Sequence, residues 1–131
     1  EMVPLTRASN VVGIPLDKIL APDRLQAIVE RTREGGGEII NLLKTGSAHY
    51  APAAAVMQMV EAVLKDKHLI IPCSVFLNGE YGLKNIFFGV LAQLGRKGVE
   101  KIIEYELTDS ELSALRKSAK GVAENITKLG Y

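Results

Sequence analysis

The chain has 131 residues with 16 basic and 15 acidic side chains, and 47% of its residues are hydrophobic. This composition favours one soluble domain with its own core and excludes a multi-domain assembly. The first 65 residues carry seven basic and seven acidic side chains, and the rest carry nine and eight. Because nucleic-acid binding needs clustered Lys or Arg, we do not expect it.

Membrane insertion and secretion are not expected either. The longest apolar run, Leu69–Leu77, contains Pro72 and is far shorter than the roughly 20 residues of a transmembrane helix. The first residues lack the basic start and apolar stretch of a signal peptide. The one cysteine, Cys73, has no partner for an internal disulfide, which favours a reducing compartment. We therefore expect a cytoplasmic protein.

The first part of the chain predicts a short strand and then a helix with a break. The segment Val11–Leu16 has strand character, and Pro15 restricts it to an edge or an end. Pro22 and Asp23 are typical of a helix start. Three consecutive glycines, Gly35–Gly37, cost a helix about 3 kcal/mol relative to alanine, which predicts a break or sharp bend. Apolar residues share one face on both sides of the glycines: Leu25, Ile28, Val29, Ile39, Ile40 and Leu43.

A second helix is predicted for Ala48–Lys65, after an interruption at Thr45-Gly46-Ser47. Its beginning is rich in small residues, with alanine at positions 51, 53, 54 and 55. Small side chains allow close approach by another element or by a ligand, and helix packing is the commoner explanation.

Three strands and a last helix complete the predicted order. Residues 69–77, 86–94 and 99–107 are rich in β-branched and aromatic residues, and turn formers separate them. Thr108 and Glu111 have the spacing of a capping box, and apolar residues then recur at helical spacing. Helices followed by consecutive antiparallel strands and a final helix indicate the α+β class.

No complete catalytic or metal-binding motif is present in the sequence. His49 and His68 are 19 residues apart and have no second ligand at a typical zinc spacing, so no metal site is predicted. Cys73 lies in a predicted strand and is interpreted as a buried residue rather than a nucleophile. Glu100, Glu104 and Glu106 alternate with apolar residues, which is typical of a solvated strand face.

Several segments together resemble one protein family. They are Glu1–Leu5, Ala21–Leu25, the run from Val29 to Pro52 through Gly35-Gly36-Gly37 and Lys44–Ala48, and Gly79–Gly82. They resemble the NAD-dependent malate dehydrogenases of the lactate-dehydrogenase-like bacterial type, and the likeness extends from residue 1 to about residue 129.

The resemblance implies that residues 1–131 form the C-terminal substrate-binding and oligomerisation domain of this family, with an antiparallel sheet packed against long, broken helices and a C-terminal helix. In the family, the catalytic histidine would stand three positions before Glu1, so the chain contains no catalytic residue. The arginines that clamp substrate and the NAD-binding half would also precede this chain. The whole enzyme would reversibly oxidise (S)-malate to oxaloacetate with NAD in the tricarboxylic acid cycle.

By the same resemblance, this chain supplies one wall of the pocket. Ser47 would lie beside the substrate, Ala51 would face the nicotinamide, and Met2, Val3 and Pro4 would leave the histidine loop. Alone, the chain is expected to bind no NAD and to be inactive. Its expected partners are its own N-terminal domain, malate or oxaloacetate in the complete enzyme, and further copies in a homodimer or homotetramer. The alternatives are an isolated assembly module without catalysis and a binding protein that has lost catalysis.

Overall fold

A computed structural model describes residues 2–130. The chain divides into two compact units between His49 and Tyr50. The predicted α+β class is confirmed, because helices and antiparallel strands occupy separate parts of the chain.

The first unit begins with a small β-hairpin. Strands β1 (Asn10–Val11) and β2 (Ile14–Pro15) pair antiparallel. Val12 and Gly13 form the turn with φ of 52° and 83°, and the Asn10 side chain accepts a hydrogen bond from the Gly13 N–H at 3.0 Å. The single strand predicted over residues 11–16 is therefore wrong, because this left-handed turn reverses the chain within it.

Helix α1 (Pro22–Leu43) begins at the predicted position, with extended Ala21 before it and Pro22 as its first residue. The predicted break at Gly35–Gly37 is wrong, because the helix continues through all three glycines. Glycine lowers helix propensity without blocking helical φ and ψ, and Arg31 spans the segment by donating to both carboxylate oxygens of Glu38 at 2.9 and 3.0 Å.

The helix ends instead at the second interruption predicted from the sequence. Lys44 has a left-handed φ of 61°, and its N–H donates to the Ile40 carbonyl at 2.9 Å. This is a common way to end a helix and to satisfy its last carbonyls. None of residues 2–49 is buried, and α1 has exposed apolar side chains such as Ile40 and Leu42.

The second unit contains two helices and a three-stranded sheet. The elements are α2 (Tyr50–Leu64), β3 (Leu69–Asn78), β4 (Lys84–Gly95), β5 (Gly98–Ile102) and α3 (Asp109–Lys128). The strands are antiparallel in the order β3-β4-β5, as predicted. Cys73 pairs with Val90 and Phe76 pairs with Phe87 in the β3–β4 register.

The core of the second unit lies on one face of this sheet. Cys73, Val75 and Leu77 alternate along β3 and are all buried, as a sheet with one covered face requires. Ala62 of α2 and Ala119 of α3 belong to the same buried cluster. The prediction that Cys73 is buried is confirmed, and burial raises the pKa of its thiol, which disfavours a nucleophilic role.

Strand β5 is shorter than predicted and ends at Ile102 rather than at residue 107. The Tyr81 hydroxyl accepts a hydrogen bond from the Tyr105 N–H at 2.8 Å and donates to the Ile103 carbonyl at 3.2 Å. Glu104 accepts from the Tyr81 N–H at 2.7 Å. The Ile103 N–H still donates to the Leu91 carbonyl of β4 at 2.8 Å. Beyond it, the Ile103 carbonyl and the Tyr105 N–H bond to the Tyr81 hydroxyl in place of a strand.

The capping box at the start of α3 is confirmed. The Thr108 hydroxyl accepts from the Glu111 N–H at 3.3 Å, and the Glu111 carboxylate accepts from the Thr108 N–H at 2.8 Å. Leu115 and Ala119, one helical turn apart, are buried. Within residues 2–130, every helix is too short or too polar to cross a bilayer.

Replacing Tyr81 by phenylalanine is expected to destabilise the second unit by about 1–2 kcal/mol, because a part-buried carbonyl and amide lose their hydroxyl partner. The measurement is urea denaturation followed by far-UV circular dichroism. Tyr50→Phe is the matched control, since that side chain is 89% exposed, and its effect should stay within about 0.5 kcal/mol. Equal effects of the two variants would contradict the role assigned to the Tyr81 hydroxyl.

Candidate functional site

The first predicted site segment is anchored to helix α1. The Met2 carbonyl accepts a hydrogen bond from Arg33 Nε at 3.3 Å. Val3 and Pro4 are half-buried, whereas Met2 is 55% exposed. Glu1, the first residue of the motif, lies outside the described residues. Arg33 therefore holds the backbone of this segment at Met2. The sequence did not predict this role.

Ser47 lies in the turn that follows α1, and His49 organises this turn. The Ser47 N–H donates to His49 Nε2 at 3.2 Å. Gly46 has a φ of +90°, and a Cβ atom there would lie 3.0 Å from His49 Nε2. A side chain at position 46 would therefore be strained and crowded. Ser47 itself is exposed, so the turn presents it to solvent while the imidazole holds its backbone.

Ala51 is the second residue of α2 and is exposed. The other small residues of this helix, Ala53–Ala55, are exposed as well. Contacts within the described part of the chain therefore do not explain why these residues are small. Their size leaves room for another molecule or domain to approach. Met2–Pro4 and Ser47 belong to the first unit and Ala51 to the second; that they form one pocket wall stays a prediction.

The chain's own glycine-rich segment does not fit a dinucleotide. Gly35–Gly37 lie inside α1, where the backbone amides are already used in helical hydrogen bonds. A phosphate needs free amides, as at the first turn of a helix after a glycine-rich loop. This segment is therefore a helix surface and not a phosphate-binding loop.

A group of polar side chains that the sequence did not bring together lies in the second unit. Asp66, His68 and Glu100 each place one potential ligand atom within 4.8 Å of the others. His68 Nδ1 is 2.6 Å from Glu100 Oε2, and His68 Nε2 is 3.7 Å from Asp66 Oδ1. Spacing along the sequence does not reveal this group, because Glu100 follows His68 by 32 residues.

Charged groups also hold the end of α2. Glu61 forms ion pairs with Lys65 and with Lys67, the latter at 2.9 Å. Hydrogen bonds from Lys65 and then Lys67 are the main causes that lower the pKa of the Glu61 carboxyl from 4.5 to about 2. These pairs connect the last turn of α2 to the turn that contains Asp66.

Comparison with known proteins places this architecture in one family. The family described as the lactate/malate dehydrogenase, alpha/beta C-terminal domain matches residues 1–130. The chain therefore belongs to the C-terminal domain family of the lactate and malate dehydrogenases.

Particular relatives are malate dehydrogenases. The chain is 55% identical over 129 residues to the malate dehydrogenases of Roseiflexus castenholzii and Geobacillus kaustophilus, and 98% of it is covered. The solved malate dehydrogenase of Salinibacter ruber superposes with a TM-score of 0.94 at 46% identity, over 98% of this chain and 42% of that one. The chain spans about two fifths of the length of these relatives, with 42% and 41% of the two curated proteins covered.

A lactate dehydrogenase from Eimeria maxima, solved with NADH and oxamate, has the same fold. It superposes with a TM-score of 0.93 at 35% identity, over 97% of this chain and 41% of that one. The fold is thus shared between dehydrogenases named for two different 2-hydroxy acids, and the fold alone does not identify the substrate.

The depressed Glu61 pKa predicts a stability contribution that depends on pH. A carboxyl whose pKa is lower in the folded chain stabilises it above the unfolded value, near 4.5, and this contribution is lost as pH falls towards about 2. Unfolding free energies of the chain and of Glu61→Gln, measured across this range, should differ near neutral pH and converge below about pH 2. A difference that persists unchanged to the acid end would contradict this assignment.

Proposed function

We propose that this chain is the C-terminal portion of a malate dehydrogenase that reversibly oxidises (S)-malate to oxaloacetate with NAD. The 55% identity to curated malate dehydrogenases over 129 residues carries the proposal. The 35% identity to the solved lactate dehydrogenase is lower. The buried, unpaired Cys73 suits a reducing compartment, and we propose the cytoplasm as the location.

The catalytic and nucleotide-binding groups of the enzyme belong to an N-terminal half outside this chain. The position of the glycines inside α1 supports this division, because this chain offers no free amides there for a pyrophosphate. We therefore assign NAD binding and proton transfer to the other half, and the isolated chain should neither bind NAD nor turn over malate.

This chain contributes a shaped wall to the substrate pocket. The Ser47 hydroxyl is available beside the substrate because the turn that carries it is held through its backbone by His49. Ala51 leaves space for the nicotinamide ring because it is small and exposed at the start of α2. Met2–Pro4 continue the loop of the catalytic histidine, and Arg33 anchors that segment on α1.

The alternative is an assembly module without catalysis. Exposed apolar side chains on α1 and α2 support an interaction role, among them Leu42, Val56 and Met57 at 75%, 57% and 63% exposure. Apolar surface of this kind is often covered by a partner. In the complete enzyme, these surfaces would face the N-terminal half and further copies in a homodimer or homotetramer.

The enzymatic proposal is tested with a chimaera in which the N-terminal half of the Roseiflexus castenholzii malate dehydrogenase is joined to this chain. The chimaera should reduce oxaloacetate with NADH, and the 131-residue chain alone should not. Ala51→Leu in the chimaera should lower kcat/KM by about 100-fold, because an intruding side chain displaces the reacting groups.

The matched control is Ala53→Leu, which makes the same change at a similarly exposed position two residues along α2. Side chains two residues apart point to different sides of a helix, so this variant should keep most of the activity. A folded chimaera without activity, or equal losses in the two variants, would contradict the proposal.

The exposed apolar surface predicts that the chain alone self-associates. Sedimentation velocity should show oligomers whose fraction rises with concentration. Leu42→Glu should reduce them, whereas Glu34→Gln on the same helix should not. A chain that stays monomeric at high concentration would contradict the prediction, and a defined oligomer together with an inactive chimaera would favour the assembly module.

A further inference from the structure

We propose that the α2–β3 turn and the β4–β5 hairpin form a binding site for a divalent transition metal of the Zn²⁺ class, with Asp66, His68 and Glu100 as ligands. One imidazole and two carboxylates are a ligand set that suits Zn²⁺ and its neighbours. The proposal is independent of the dehydrogenase activity, because all three residues lie in the second unit outside the segments assigned to the substrate pocket.

The spacing of the three donors is close to that of a metal site. Zinc bonds of about 2.0–2.2 Å in a tetrahedral site place ligand atoms about 3.4 Å apart. One ligand atom from each residue lies within 4.8 Å of the other two. Glu100 Oε2 is 2.6 Å from His68 Nδ1, whereas Asp66 Oδ1 is 3.7 Å from His68 Nε2, so a metal on one ring nitrogen requires the ring or a carboxylate to turn. The His68 side chain is 53% exposed, which leaves room for a change of its rotamer.

The backbone of the turn holds two of the ligands. Asp66 and His68 both have left-handed φ values, 51° and 49°, which are uncommon for residues other than glycine. Asp66 Oδ1 accepts a hydrogen bond from the Arg96 N–H at 2.8 Å, so the turn is tied to the hairpin. This hydrogen bond orients the carboxylate in the way that outer-shell partners orient metal ligands.

The hairpin makes room for the third ligand. A Cβ atom on Gly95 would lie 2.5 Å from the carboxyl carbon of Glu100, a distance that no real contact allows. The Glu100 carboxylate therefore occupies the place of a side chain at position 95, and its side chain is only 22% exposed. Glycine at this position lets Glu100 lie against the strand and reach His68.

The surroundings restrict which ion can bind. The cavity of about 590 Å³ at this cluster is also lined by Arg96, Lys97 and Val99. Arg96 Nε is 4.0 Å from Asp66 Oδ2. The imidazole favours Zn²⁺ and its neighbours over a hard ion such as Mg²⁺, which prefers oxygen ligands. A bound metal would cross-link the α2–β3 turn to the hairpin, with an open position for water.

An imidazolium between two carboxylates is the competing explanation of the same geometry. In that arrangement Nδ1–H donates to Glu100 while Nε2–H faces Asp66. It requires no metal, and binding of a metal by one ring nitrogen would replace the proton shared with a carboxylate. Metal titration separates the two explanations.

The test is calorimetric titration of the full chain with ZnCl₂ near neutral pH, with Co²⁺ absorption spectra as a second measurement. One Zn²⁺ should bind per chain, and Co²⁺ should give visible bands typical of a site with nitrogen and oxygen ligands. His68→Gln, Asp66→Asn and Glu100→Gln should each weaken binding by about ten-fold or more. Zn²⁺ should raise the melting temperature, and Mg²⁺ at the same concentration should not.

Two controls keep the proposal falsifiable. His49→Gln removes the other histidine of the chain and should leave Zn²⁺ affinity unchanged. Gly95→Ala keeps all three ligands but displaces Glu100, and it should weaken binding while circular dichroism confirms the fold. Absence of saturable binding, or loss of binding only on His49→Gln, would overturn the proposal and leave the imidazolium arrangement as the explanation.

Discussion

The buried face of the three-stranded sheet is the constraint on which the second unit depends. Alternate residues of β3, including Val75 and Leu77, point into one cluster that also contains Ala62 of α2 and Ala119 of α3. Since the side-chain period of a strand is two, a shift of one residue in the β3–β4 register would expose this whole set. The β3–β4 register therefore determines where α2 and α3 pack and where the turns at the ends of the sheet lie.

This constraint explains which parts of the fold could be predicted from the sequence. The β3 and β4 patterns and the capping box at Thr108 are local signals, and all three predictions are confirmed. The end of β5 could not be predicted, because it depends on the Tyr81 hydroxyl, more than 20 residues away. Apolar alternation continues in the sequence after Ile102, but beyond the Ile103 N–H the backbone bonds to the Tyr81 hydroxyl.

The error at Gly35–Gly37 has a related cause. Helix propensity is a weak local preference that tertiary and side-chain interactions override. The glycines lie between Arg31 and Glu38, which are joined on the helix surface by two charged hydrogen bonds. The hydrogen bond from Arg31, and then its charge, lower the pKa of Glu38. Seven residues separate the partners, a spacing that short-range helix rules do not consider.

The two candidate sites differ in how a sequence can reveal them. Ser47 and Ala51 come from the resemblance to a family, and the structure adds His49 and Arg33 as the groups that hold the neighbouring backbone. The metal-ligand cluster has no linear motif, because the register of β4 and β5 brings Glu100 to the α2–β3 turn. Long-range pairing thus creates sites that spacing rules miss. The sheet that gives the second unit its core also determines which polar side chains meet at its edge.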